Sequence, residues 1–254
     1  MTKVLIILLL LVPFQNWQDY PLKNGRPTSR GIDRYVEENA DALTLEFQEF
    51  IGDTIYNTNI YTENLSKSND HNPLELGNYY PNEIFITNAE VFLAYEREDL
   101  SKRERETIIS SNQFVKAAVF HELMHHYIYQ LSIEMLRRDQ IEVDRAYQSY
   151  FRIYNNLGYP GYKFIEEGIC EYVNVKMKET ISPKRPYIPK KLSDLSKPEN
   201  AHDILYKYST YCLEEFLDTT GIKRGIKILL HNRPPSSEEI LEPELFFARL
   251  EGIE

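Results

Sequence analysis

An α+β fold, mostly helical, is what three observations predict for this 254-residue chain. From Ser101 onward apolar residues recur at helical spacing almost without a break. Ahead of that stretch lie short β-type segments, EIFIT at 83–87 above all, set among Asn-, Ser- and Pro-rich runs. The two are segregated along the chain: a small mixed N-terminal sheet layer, then helices, with no βαβ alternation. The chain is long enough to bury a sizeable core in one domain or two. Its net charge of −10, with no large basic face, argues against nucleic acid as the main partner. Nineteen tyrosines and twelve phenylalanines suit a packed core and point to no particular chemistry.

In order along the chain, Lys3 precedes a uniformly apolar run at 4–12. Residues 1–14 therefore read as a secretory signal or a short anchor, since a membrane span wants about 20 apolar residues. There is no A-x-A cleavage site and no following cysteine for lipid attachment. The expectation is an exported protein, secreted, periplasmic or tethered on the outer side of a membrane by this segment. Residues 15–31, with Pro21, Gly25 and Pro27, read as a linker. Tyr35, Val36, Leu43, Phe47 and Phe50 recur near helical spacing and predict an amphipathic helix over 32–51. Residues 62–82 read as a surface loop, 83–87 as a strand and 91–95 as a second strand. Helices follow at 114–131, at 134–157 (ended by Gly158 and Pro160) and at 162–178. Residues 179–200, with four prolines and clustered Lys and Arg, read as an irregular loop that is basic in an acidic protein. Helices over 202–218, 223–231 and 243–250 complete a chain without internal repeats. Residues 32–254 are expected to form one domain, with 32–131 its N-terminal part and 132–254 its helical C-terminal part.

The most informative pentapeptide is His121-Glu122-Leu123-Met124-His125, H-E-x-x-H. On a helix, residues four apart share a face, so both imidazoles can reach one metal ion. Glu122 stands about 100° round the helix, beside such an ion without binding it. Two nitrogen ligands and an adjacent general base are the layout of a zinc hydrolase. The surrounding run, FVKAAVFHELMHHYIYQL, is apolar on most sides. Two histidines and a glutamate on so buried a helix need partners, and a metal supplies them. His126 points off the ligand face and reads as structural or as a support to the metal ligands.

A catalytic zinc usually takes three protein ligands and leaves one position open. The metzincin continuation fails, because Ile128 and Leu131 stand where Gly and His are needed; H-x-x-E-H does not occur. A glutamate from a second helix remains. Glu167 and Glu171, in Glu166-Glu167-Gly168-Ile169-Cys170-Glu171-Tyr172, are four apart and point the same way, whereas Glu166 reads as solvated helix face. HELMH together with E-G-x-x-E-Y resembles the gluzincins, the thermolysin-like and aminopeptidase-N-like zinc peptidases. A long helix at 134–157 intervenes here between the second histidine and the glutamate, so the closer resemblance is to the looser peptidase-MA-like subgroup.

The resemblance spans roughly residues 110–250 and implies a zincin-like fold with one catalytic Zn2+. It implies that His121, His125 and Glu167 bind the metal, that Glu171 orients His121, and that Glu122 is the base. It also implies an oxyanion donor from the C-terminal third: Tyr208 first, then Tyr211, then His231 or His202. The expected activity is hydrolysis of peptide bonds in a peptide or protein, with 83–87 lining the rim where substrate pairs as an added strand. Rival readings are a zinc hydrolase of another amide, as in a cell wall, a catalytically idle binding protein, and a tethered scaffold whose 179–200 loop docks on lipid. Intact Glu122 speaks against an idle site. Cys170 and Cys212 lie in apolar helical stretches; export permits a disulfide, two buried thiols fit equally, and neither spacing resembles a cysteine metal site.

Overall fold

The computed structural model describes residues 22–23, 26–65, 77–88, 113–138, 161–177 and 186–251. The apolar N-terminal segment, the strand at 91–95 and most of the helix expected at 134–157 lie outside the described residues, as do large parts of the loops at 62–82 and 179–200. The described chain is mostly helical with a small three-stranded mixed sheet, an α+β arrangement. Among the described residues no helix is long and apolar enough to cross a membrane.

The stretch expected as linker carries structure. β1 (Leu22–Lys23) and β2 (Arg26–Pro27) pair antiparallel, Leu22 with Pro27 and Lys23 with Arg26. Helix α1 (Ser29–Ile51) then starts earlier than 32, because Thr28 caps it: its Oγ1 accepts the Gly31 N–H at 3.1 Å. Ile32, Tyr35, Val36, Leu43 and Phe47 are buried along one face, whereas Phe50 is only half-buried. Gly52, at φ +66°, ends the helix, and the Asp53 N–H reaches back to the Gln48 carbonyl at 3.2 Å.

β3 (Asn59–Glu63), β4 (Gly77–Tyr80) and β5 (Glu83–Thr87) form a sheet in the order β3-β5-β4. Asn59 N donates to Asn82 O at one end and Asn88 N to Glu63 O at the other, both at 3.0 Å, so β3 and β5 run parallel. Pro81 and Asn82, the latter at φ +71°, turn the chain from β4 into β5. The strand expected to line a substrate rim, 83–87, is therefore central and bonded on both sides. An added strand needs a free edge, which β5 does not have.

Cα proximity divides the chain into two compact units. The second takes Phe47–Asn59, Tyr79–Glu83 and all that is described from Phe120 onward; the first takes the rest. In the first, Asp33 Oδ1 accepts both Thr62 Oγ1 and Asn88 Nδ2 at 2.7 Å, which fastens α1 to the ends of β3 and β5. Ile84 and Ile86 are fully buried there.

The second unit contains the candidate site. α2 (Gln113–Arg138) carries HELMH, and Phe120, Leu123, Met124, Tyr127, Ile128 and Leu131 are buried on it. The break expected between 131 and 134 does not occur; the helix runs on through Glu134. α3 (Gly161–Met177) carries EGICEY. α4 (Leu192–Leu195) is a single turn inside the loop expected over 179–200. α5 (Pro198–His202), a π-helical turn at Asp203–Tyr208 and α6 (Ser209–Thr220) follow one another without interruption. α7 (Ile222–His231), α8 (Ser237–Leu241) and α9 (Pro243–Glu251) end the fold. α3 packs on α6 at Gly168, where a Cβ would stand 2.8 Å from Leu213 Cδ1 and 2.9 Å from Ser209 Cβ. Thr210 Oγ1 donates to the Gly168 carbonyl at 3.3 Å across the same seam. Both cysteines are free thiols, Cys170 buried and Cys212 half-buried.

Gly168→Val is expected to lower unfolding stability by about 1–3 kcal/mol in urea titrations, because the seam has no room for the side chain. An unchanged midpoint would show that α3 and α6 can part freely. A pH effect is expected at α8, where Ser236 and Glu239 form a capping box and Arg249 clasps the Glu239 carboxylate at 2.7 and 3.2 Å. Burial opposes the Glu239 charge, but Arg249, the Ser236 N–H and Arg233 outweigh it and hold the carboxyl below its ordinary range. Its contribution is complete above the unfolded value of about 4.3 and is lost as pH falls through the lower folded value. The stability gap between parent and Glu239→Gln should therefore close in acid; a gap constant with pH would refute the charge argument.

Candidate metal centre

His121 and His125, one turn apart on α2, bring their Nε2 atoms to 3.3 Å of each other. The facing helix, α3, turns Glu166, Glu167, Cys170, Glu171 and Asn174 inward, all buried. Phe164, Ile165, Ile169 and Val173 beside them are also buried. Glu166 is accordingly not on a solvated face. Its Oε1 accepts a hydrogen bond from His125 Nδ1 at 3.0 Å. Glu167 Oε2 lies 3.4 Å from His121 Nε2 and 3.7 Å from His125 Nε2. Glu171 Oε2 stands 3.8 Å from His121 Nδ1 and accepts Asn174 Nδ2 at 2.7 Å. Each histidine thus has a carboxylate at Nδ1, closer for His125 than for His121.

Glu122 is also buried, close enough to Tyr206 for its charge to be felt there. Three buried carboxylates (Glu166, Glu167 and Glu171) face two imidazoles and one lysine. Lys163 Nζ lies 3.2 Å from Glu166 Oε2 and 3.5 Å from Glu167 Oε1. Burial works against the Glu167 charge, yet His125, His121 and Lys163 overcome it and hold the carboxyl far below its usual range. Burial likewise disfavours charge on His125, but Cys170, Glu167 and Glu166 raise its pKa well above the ordinary value. The Cys170 thiol is pushed up to about 12, first by burial. Such a site has a standing demand for positive charge.

His121, His125 and Cys170 form a group that could hold a metal ion, with their ligand atoms within 4.8 Å of one another. Cys170, whose spacing in the sequence resembles no cysteine metal site, stands in this group all the same. Spacing rules look for C-x-x-C pairs, and a lone cysteine in a mixed set has no such signature.

The tyrosine beside the site is Tyr206. Its ring stacks on His121 (centroids 6.2 Å apart, planes 29° apart) and lies 4.8 Å from the exposed His202 ring. Burial, then Glu167, Glu122, Cys170 and Glu171, push its hydroxyl far above the usual range, so it stays a proton donor. Tyr208 goes elsewhere: buried against Phe164, it donates its hydroxyl to the Ile240 carbonyl at 3.0 Å. Tyr211 is 57% exposed on α6, and His231 is exposed on the last turn of α7. For the tyrosines the cause is the π-helical turn at Asp203–Tyr208, whose extra residue swings the later side chains of that continuous helix by about 100° relative to an uninterrupted α-helix. Nothing in YKYSTY announces that turn.

Two further residues complete the surroundings. Tyr79 of β4 stacks on His125, with centroids 6.1 Å and planes 10° apart. His126 donates its Nε2–H to the Tyr56 carbonyl at 2.7 Å and accepts the Tyr79 hydroxyl at Nδ1 at 3.4 Å, the structural role expected of it.

Glu166→Ala is expected to weaken binding of a divalent metal by about 10–100-fold, through the lost orientation of His125. Competition with a chromophoric chelator reads this directly; unchanged affinity would mean that His125 is held by packing alone. Comparison of the chain with protein-family models, with curated proteins and with solved structures finds no match.

Proposed function

We propose that the chain is a zinc-dependent metallopeptidase of the gluzincin type. One observation carries the reading. His121 Nε2, His125 Nε2 and Glu167 Oε2 form a triangle with sides of 3.3, 3.4 and 3.7 Å. Ligand atoms about 2.0–2.2 Å from a tetrahedral zinc stand about 3.3–3.6 Å apart, so the triangle fits that ion. Glu167 Oε2 is buried and accepts no hydrogen bond, a costly state that a cation relieves. Lys163 takes the other oxygen, Oε1, and so presents Oε2 alone to the histidines.

Zinc held by these three residues would bring the pKa of a water to about 7 and polarise a substrate carbonyl. Glu122 takes the proton of the attacking water and hands it to the leaving nitrogen. Tyr206, neutral and donor-ready, stabilises the oxygen that gains charge, the role expected of Tyr208 from sequence. Glu166, by accepting from His125 Nδ1, fixes the proton there and leaves the Nε2 lone pair for the metal. Tyr79 shields His125 from water. The apolar run at 4–12 supports an exported enzyme.

Elemental analysis of the full chain is expected to find one zinc, greatly weakened in Glu167→Ala. Glu122→Gln should keep the zinc and lose about 10²–10⁴-fold in cleavage of an unstructured peptide library. Tyr206→Phe should slow cleavage while Tyr208→Phe leaves it unchanged. A parent chain that takes up no zinc even when it is supplied, or a Glu122→Gln variant with full activity, would overturn the proposal.

A further inference from the structure

The zinc reading uses three donor atoms, and a fourth stands beside the two that the histidines supply. Cys170 follows Glu167 by three residues on the α3 face that meets α2, so the pair is the counterpart of His121 and His125 on the other helix. The residue is fully buried, and its Sγ and a ring nitrogen of each histidine lie within 4.8 Å of one another. Ordinary packing would give a buried thiol apolar neighbours; this one faces two imidazoles and a carboxylate whose Oε2 has no hydrogen-bond partner.

Resting on the zinc-peptidase reading, we infer that Cys170 is a fourth protein ligand which closes the ion against water, so that the chain is latent until the sulfur is displaced. Closed four-ligand sets are the structural kind of zinc site, and an open position is what a catalytic one needs. The exchange is a change of ligand without oxidation. The thiol gives its proton to solvent, a sulfur–metal bond forms and the bound water leaves; reopening reverses each step. A substrate carbonyl arriving at the ion is the displacing group, because a buried thiol is out of reach of oxidants in solution. Cys212 shares none of this. It sits on α6, half-buried, with a hydrogen bond to Tyr208.

The test is the full chain loaded with cobalt(II) in place of zinc. A thiolate ligand gives an intense sulfur-to-cobalt charge-transfer band in the near ultraviolet, which imidazole and carboxylate ligands do not. The band is expected in the parent and in Cys212→Ser, and is expected to vanish in Cys170→Ser while one cobalt per chain is kept. The zinc form of Cys170→Ala is expected to cleave peptides about tenfold faster than the parent, as the open position returns. One bound cobalt without the band would overturn the inference and leave the peptidase reading standing. The band with no gain in cleavage for Cys170→Ala would overturn the latency. A parent that binds neither cobalt nor zinc would overturn the inference together with the reading beneath it. The band in the unmutated chain needs no variant to fold.

Discussion

Charge burial between α2 and α3 is the constraint on which the rest of the second unit depends. Carboxylates do not leave water unless something answers them. Here Glu166 and Glu167 meet His125, His121 and Lys163. The match is incomplete on purpose-built terms: one carboxylate oxygen, Glu167 Oε2, has neighbours at ion-ligand spacing and no hydrogen bond. Around this electrostatic centre the packing is close and apolar, from Phe120 and Met124 on one helix to Ile169 and Val173 on the other. A protein of net charge −10 has therefore concentrated part of its negative charge in its interior rather than on its surface.

The C-terminal helices are the second layer of control. Gly168 lets α6 come close to α3, and Ser209, the residue that occupies the space, begins α6 directly after the π-helical turn. The wide turn and the tight seam are thus adjacent, and together they set which tyrosine faces His121. A helix running from Pro198 to Thr220 with ordinary spacing throughout would bring a different face to the metal residues. Backbone irregularity here does positional work that no single side chain reveals.

How much of this was legible in the sequence divides along physical lines. The pairing of the two histidines is legible, because i and i+4 on an apolar helix leaves little freedom: His121 and His125 stand together. Glu167 and Glu171 were legible through the same periodicity, and both stand at the histidines. Glu166 was misjudged as solvated because a run of acids usually is. Phe164, Ile165, Ile169 and Val173 of α3 are buried with it, apolar neighbours that could have been counted. Cys170 escaped because metal spacing rules describe cysteine pairs. Tyr206 and Tyr79 were beyond reach: one depends on an extra residue in a helical turn, the other on a strand placed by tertiary packing. The start of α1 reads three residues late for a local reason, the Thr28 cap that extends the helix toward the N-terminus.

Lys163 has a meaning apart from any reaction. Many small metal-binding folds are unfolded without their ion, since nothing else balances the ligands. Here an ammonium group already sits against two of the acids, Glu166 and Glu167. The folded chain thus carries part of its counter-charge covalently, on α3 itself, and any cation that enters between the helices would meet a cluster already half answered from within.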